Sequence, residues 1–559
     1  MKLCWITTTL AMPVLFCCSI FVWCNTGSAA EWTGNSFFTN NWSAIDNWFA
    51  FNVANGSSED ALLPGNLFAR TRPNLDINVS LRNLTFSDAG LINAPAYTLG
   101  GSGRIDIYGG ISNHSNSSQT INNPVRTRSD NLVLFSTSFS NDVAGRGNLT
   151  FNGTVTLDAP LTGVVAGLNG ISFNGAIAGG GGLQVVGPGT TTLAASNSFT
   201  GDLTVEGRVR VTGRGRIANQ VDVNVLESGW FRVEVPDAIN GLYGAGEVQL
   251  ATNAFLAVGN YAGFNARGDG NFVGQINGPG QLSKRGVDGR FVLGGINSYA
   301  GGTLVEEGIL AVYGEESGTG SGDTEVFSGA TLEGSGVLAS ETIVNEGAIL
   351  RPAPRGSSLS EDIAFGFEDL TLLDGAITKL EIANLRSAPL NFVHASVDVA
   401  GTANLDGVLE LTKTLTQLPD GERLRIFDAG QIVGEFDRVD GVMLNDARSL
   451  AIVYSDTFID AVVAIPGDTN LDGAVNFADF LTLSSNFGTG SIWTEGDFDG
   501  NGMVEFPDFL NLSRNFGEST AVAVPVPEPK SGFLLLIAFV VAAVRRRSSP
   551  PAPSWTNQC

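Results

Sequence analysis

Oxygen-bearing side chains recur at alternating positions in two short stretches near the C-terminus, GDTNLDGAVNFADFLTL (residues 467–483) and GDFDGNGMVEFPDFLNL (residues 496–512). With Asp468 as position 1, Asn470 is 3, Asp472 is 5, Asn476 is 9 and Asp479 is 12, with Gly473 at 6 and the backbone carbonyl of Ala474 at 7. The second copy starts 29 residues later, and Asp497, Asp499, Asn501, Glu505 and Asp508 take positions 1, 3, 5, 9 and 12. Gly502 is its position 6, and the Met503 carbonyl its position 7. Hard oxygen donors at this spacing wrap a hard divalent cation, the glycine makes the sharp turn, and position 12 closes the cage. The chemistry expected is calcium binding, one ion per loop. A single loop could be an Asx-rich turn; a second with the same offsets argues for the metal.

The elements that must hold these donors follow each loop. Phe480, Leu483 and Phe487 repeat at i, i+3 and i+7, as do Phe509, Leu512 and Phe516, which predicts an exiting helix in each case. Gly488 and Gly517 stand where helix ends belong. Pro466 and the strand-like AVVAI (residues 461–465) precede the first loop, so no helix enters it. Position 12 is Asp in both loops, where the EF-hand takes Glu. The segment 465–518 resembles a type I dockerin. That resemblance implies two Ca²⁺ ions, folding on calcium, and a cohesin-like partner of the kind found in polysaccharide-degrading assemblies. Dockerins of those assemblies carry a Ser-Thr pair at positions 10 and 11; Phe477-Ala478 and Phe506-Pro507 stand there in this chain. Each loop–helix unit is small, so chelation is expected to unfold this module and leave the β-structure before it untouched.

Those strands fill most of the 559 residues. A net charge of -25 and a pI of about 4.4 repel phosphate backbones, which argues against nucleic acid as a partner. Cys4, Cys17, Cys18 and Cys24 crowd the start and Cys559 ends the chain, so the body has neither a disulfide framework nor a thiolate nucleophile. Short alternating segments such as VDVNV (residues 221–225) and FRVEV (residues 231–235) read as half-buried strands at close spacing.

Internal repetition favours a solenoid over a sandwich. Residues 190–213 align with residues 290–314: Asn197-Ser198-Phe199 falls on Asn297-Ser298-Tyr299, and Leu203, Val205, Val209 and Val211 fall on Leu304 (or Thr303), Val305, Leu310 and Val312. Both segments resemble the autotransporter-associated beta strand repeat, with linker-like coils following over residues 328–360. The fold this implies is mostly β: a right-handed parallel β-helix, followed by the small α-helical two-loop module. The boundaries expected are an N-terminal β-rich cap and solenoid over 31–185, the repeat solenoid over 186–360, and a C-terminal β-rich region over 361–464. Trp32, Trp42 and Trp48 near the N-terminus could stack on sugars but are better read as capping an open solenoid end.

Little in the body points to catalysis. His114 and His394 are 280 residues apart and read as turn and strand residues. The AGGGG stretch (residues 178–182) lacks the Lys-Ser/Thr of a phosphate loop.

Both termini read as addresses. Residues 1–30 form a secretory signal peptide, with Lys2, an apolar run and a predicted cut after Ala30. Residues 525–547 carry Pro527-Glu528-Pro529, the apolar run 532–544 and Arg545-Arg546-Arg547, and resemble a PEP-CTERM sorting signal. That resemblance implies a sorting protease of the exosortase type and initial anchoring in the inner membrane; residues 548–559 form a tail. The function expected is a non-catalytic, exported, cell-surface stalk or adhesin with a calcium-binding docking module. The alternative is a polysaccharide-degrading or polysaccharide-binding β-helix recruited through that module, with extracellular polysaccharide as its partner.

Overall fold

The computed structural model describes residues 29–65, 70–88, 94–128, 136–141, 147–158, 162–259, 270–314, 318–353, 362–384, 392–413 and 418–520. Residues 1–28 of the expected signal peptide, the expected sorting segment 525–547 and the tail lie outside the described residues. The chain divides into two compact units, Met1–Val235 and Pro236–Cys559.

The first unit is built from short strands that pair in parallel with strands one coil later. The strand Leu149–Phe151 pairs with Ile171–Phe173, then Thr190–Leu193, Arg208–Val211 and Trp230–Val233 follow in register. Leu149, Ile171, Thr191, Val209 and Phe231 therefore stack in one buried column, and Phe151, Phe173, Leu193, Val211 and Val233 in the next. The alternate residues, Thr150, Ser172, Thr192 and Arg210, point outward. This is the period-2 pattern of the sequence converted into stacked coils. A second ladder stacks Leu183, Leu203 and Val223 in the same way.

Asn197 explains why the repeat needs an asparagine. Its Oδ1 accepts the Ile177 amide at 2.9 Å, and its Nδ2 donates to the carbonyls of Ala195 (2.9 Å) and Arg216 (2.7 Å). One side chain ties three consecutive coils. Near the strand Ala30–Glu31, the rings of Trp32, Trp42 and Trp48 are buried against one another with centroids 4.6–5.9 Å apart. Their indole N–H groups donate to the carbonyls of Arg70, Ala54 and Trp42. They are interior packing, and present no ring face for a sugar.

The second unit repeats the scheme. The strands Arg290–Leu293, Ile309–Val312, Thr331–Gly334, Ile349–Arg351, Ile377–Asn384, Val408–Lys413 and Arg438–Asp440 form one parallel ladder. Phe291, Leu310, Leu332, Leu350, Leu409 and Val439 line its inner column. Asn297 copies Asn197: Oδ1 accepts the Ile276 amide at 2.8 Å, and Nδ2 donates to the carbonyls of Gly295 and Gly318 at 3.2 and 2.7 Å. The ambiguity between Thr303 and Leu304 resolves to Thr303, which is fully buried and bonded through its hydroxyl to Tyr299 Oη at 2.6 Å. Hydrophobicity alone makes Leu304 the more natural match; register with the neighbouring coil, which pairs Leu282 with Thr303, turns Leu304 outward.

Towards the C-terminus antiparallel pairing joins the parallel scheme. Strand Arg423–Gly434 pairs parallel with Phe392–Leu405 and antiparallel with Phe458–Ala464, which in turn pairs antiparallel with Arg448–Tyr454. Two helices follow, α1 (Phe477–Asn486) and α2 (Phe506–Asn515). They are not a free-standing module. Val475, Leu483, Trp493, Phe498, Val504 and Leu512 share one core with Ala451, Val462, Ala464 and Ile465, residues in or next to the antiparallel strands. This shared core argues against the expectation that the segment unfolds separately from the β-structure before it. Two ten-residue helices bury too little apolar surface by themselves, and here they complete it against the sheet.

Candidate metal centre

Each loop is wound around its first and last carboxylates. In loop one, the Asp468 carboxylate accepts the amides of Asp472 (3.2 Å) and Gly473 (2.8 Å). In loop two, Asp497 accepts those of Gly500 and Gly502, both at 2.9 Å. Position 12 closes from the helix. Asp479 accepts the amides of Thr469 and Asn476 at 2.9 and 2.8 Å, and Asp508 those of Phe498 and Glu505 at 2.8 and 2.9 Å. The same two residues complete capping boxes with Asn476 and Glu505, so helix start and loop closure are one structure.

Positions 3 and 5 turn the loops. Asn470 Oδ1 accepts the Asp472 amide and Asp472 Oδ1 that of Ala474, both at 2.9 Å. In loop two Asp499 accepts the Asn501 amide at 3.2 Å and Asn501 that of Met503 at 2.9 Å. The Ala474 carbonyl accepts from Asn476 Nδ2 at 3.4 Å, which brings position 7 beside position 9 in loop one. Asn501 Nδ2 also donates to Glu505 Oε1 at 3.3 Å, which places position 9 beside position 5.

Burial separates the ends from the middle. Asp468, Asp479, Asp497 and Asp508 are all buried, whereas Asn470, Asp472, Asp499, Asn501 and Glu505 are half-buried or exposed. Asp497, Asp499 and Asp508 offer carboxylate oxygens within 4.8 Å of one another. Burial raises the Asp497 carboxyl to about 6, with Asp508 and Asp499 adding repulsion. Burial likewise raises Asp468 and Asp508, with Asp479 and Asp472 adding to the first and Asp499 to the second. Among the described residues no arginine or lysine forms an ion pair with these groups. Clustered, desolvated carboxylates whose backbone donors are already in place are a donor set suited to a hard divalent cation.

The loops differ at position 4. Leu471 sits at φ 57, a strained conformation for a branched side chain, while loop two has Gly500 at φ 78. They also differ in what they touch. The Gly473 carbonyl accepts the Thr520 amide at 2.7 Å, whereas that of Gly500 accepts the Val439 amide from the last parallel strand at 2.7 Å. The two loop–helix segments are cross-pinned: the amide of Gly488, after α1, donates to Val504, and that of Gly517, after α2, donates to Val475, both at 2.8 Å.

Sequence reasoning missed a second acidic group. Asp374, Asp406 and Asp437, at turns of successive coils, also bring carboxylate oxygens within 4.8 Å of one another. Burial, then a hydrogen bond to Asp406, raises Asp437. The three stand at different offsets from the strands they precede, so no fixed spacing reveals them. An open groove of about 470 Å³ runs past Asp60, Asn83, Thr85, Ser112 and His114. Its one lining carboxylate, Asp60, is engaged by Arg82 and by Asn83 Nδ2. His394 lies on the strand Phe392–Leu405 and its amide donates to Asp362 at 3.0 Å.

Residues 183–207 and 283–312 match the passenger-associated-transport-repeat family. These segments contain Asn197 and Asn297 with their matching hydrogen bonds. The chain is also 27% identical over 290 residues to a protein described as the adhesin BmaC autotransporter, from Brucella suis biovar 1 (strain 1330). That alignment takes in 51% of this chain and 8% of the Brucella protein's length.

Proposed function

We propose that the protein is a non-catalytic, exported surface protein whose right-handed β-solenoid acts as a stalk or adhesin and whose two C-terminal loops bind calcium. The single observation that carries the stalk reading is the Asn197 and Asn297 wiring inside the two repeat-family segments. Coils tied in this way are built for regular stacking, and the Brucella protein to which the chain is 27% identical over 290 residues is described as an adhesin. In the groove past Asp60 the lining carboxylate is paired with Arg82, so this groove does not show the two free carboxyl groups that glycoside hydrolysis uses.

The calcium reading rests on the convergence of Asp497, Asp499 and Asp508. Asp468, Asn470, Asp472, Ala474, Asn476 and Asp479 would hold one ion, and Asp497, Asp499, Asn501, Met503, Glu505 and Asp508 the other. When bound, each ion supplies the positive charge that neutralises its carboxylates and fixes its loop. Loop two brings four carboxylates against three in loop one, and its position 4 is an unstrained glycine, so loop two fills first. The dockerin-like arrangement supports a protein partner at this surface. Phe477 and Phe506 are 62% and 61% exposed at position 10, so that partner would present an apolar rather than a hydroxyl-matching face.

Two experiments test this function. Calorimetric titration of the mature chain with calcium should show two binding steps, and Asp497→Ala should remove the tighter one. A chain that takes up no calcium defeats the metal reading. Incubation with a panel of acidic polysaccharides should release no products; turnover of any member defeats the non-catalytic reading.

A further inference from the structure

We propose that loop two is a calcium-operated clamp on the last strand of the parallel ladder; the inference rests on the calcium reading above. The strand Arg438–Asp440 pairs with Val408–Lys413 on one side. On the other, its Val439 amide donates to the carbonyl of Gly500 at 2.7 Å. A strand edge left open is a template for unwanted pairing, and here a loop rather than another strand covers it. Gly500 carries both functions. Its N–H donates to the Asp497 carboxylate inside the loop and its C=O accepts from Val439 in the strand, so one residue separates a metal ligand from the sheet edge.

The fit is close enough to exclude side chains. A Cβ on Gly500 would lie 2.4 Å from the Val439 carbonyl oxygen, and one on Gly502 would lie 2.2 Å from that of Asp437. Both glycines have positive φ, 78° and 82°. Loop one has Leu471 at the position Gly500 takes, and its contacts go elsewhere: its position 6 carbonyl, on Gly473, accepts from Thr520, and Ala474 bridges to Ser519. The two loops therefore have different tasks, although their ligand spacing is the same. Behind loop two, Trp493 and Phe498 pack with ring centroids 5.0 Å apart in the core shared with Ala451 and Val462.

The clamp follows from charge. Asp497, Asp499, Glu505 and Asp508 crowd one loop, and without a cation their repulsion is relieved by opening it. Opening moves the Gly500 peptide, because Asp497 holds its N–H, and the Val439 amide loses its acceptor. With calcium in place the loop is drawn onto the strand edge and the amide is protected.

Hydrogen exchange on the full mature chain tests this, with calorimetry on the same samples. In wild type, exchange at Val439 should be slower in calcium chloride than in EGTA by at least about fivefold, the scale of one lost hydrogen bond. Asp499→Asn, at a half-buried ligand of loop two, should shrink that difference. The matching change in loop one, Asp472→Asn, should leave it in place. If calcium binds by calorimetry yet exchange at Val439 is unchanged, the clamp is wrong and the calcium reading stands. If neither loop takes up calcium, the calcium reading fails and the clamp with it. If Asp472→Asn abolishes the protection as fully as Asp499→Asn, the assignment to loop two is overturned.

Discussion

The Asp497 carboxyl, raised to about 6 by burial, binds a proton more tightly in the folded chain than in the unfolded one, where the ordinary value is about 3.9. A raised carboxyl stabilises the fold only while it is protonated. In EGTA, therefore, stability should fall as pH rises from about 4 to about 6 and level off above that. A calcium ion held by this carboxylate would compete with the same proton, so calcium affinity should weaken as pH drops below about 6. Thermal melts at about pH 4.5 and about pH 7.5 with EGTA and with calcium check both signs; a metal-free chain that melts higher at the upper pH contradicts the first. Lys284 is a second informative residue. It is buried, and its ammonium donates to the carbonyls of Arg285, Gly286 (3.0 Å) and Glu307 (3.2 Å). Lys284→Met keeps the volume but strands these acceptors, and should cost about 2–4 kcal/mol in urea unfolding. At the Asp374–Asp406–Asp437 group the sign reverses. Asp406→Asn relieves like-charge repulsion and should raise the melting temperature at neutral pH by about 1–2 °C.

At the level of the coil, the aliphatic columns and one asparagine hold the structure. Asn297→Ala would leave the Ile276 amide and the Gly318 carbonyl unpaired in the interior, at a cost of about 2–4 kcal/mol. Asn297→Asp keeps the shape and the acceptor but loses the donor, and turns a negative charge toward two carbonyls. It should be at least as damaging, which separates a hydrogen-bonding role from mere space filling. Chemical denaturation of both variants decides this. The helices depend on a different device. The Asn476 side chain accepts the Ala478 amide at 2.8 Å, and its own amide donates to Asp479, so one residue serves both cap and loop.

Across the C-terminal part of the molecule, the shared core sets what chelation can do. Because Val462, Ala464 and Ile465 pack with Leu483, Trp493 and Leu512, unfolding of the loop–helix segments would reach back into the antiparallel strands Arg448–Tyr454 and Phe458–Ala464. EGTA should therefore change Trp493 emission and reduce part of the β signal in circular dichroism together. Loss of helix signal alone would show that the loop–helix units unfold independently of the sheet. No helix among the described residues is long and apolar enough to cross a membrane.

Features that recur over short spans of chain are legible without the fold. Alternation at VDVNV and FRVEV reports strands because neighbouring side chains must point to opposite faces. The offsets within 468–479 and 497–508 report the loops because the donors and the turn that gathers them lie in one short segment. The Asn-Ser-aromatic recurrence marks the two repeat segments because each coil solves the same local problem. Other features exist only once the coils are stacked. Which of Thr303 and Leu304 faces inward depends on register with the coils on either side. The meeting of Asp374, Asp406 and Asp437 depends on the lengths of the turns between coils. The docking of Gly500 on Val439, 61 residues apart, depends on where the antiparallel strands carry the chain after the ladder ends. Contacts between coils are set by accumulated backbone geometry, which no local spacing in the sequence records.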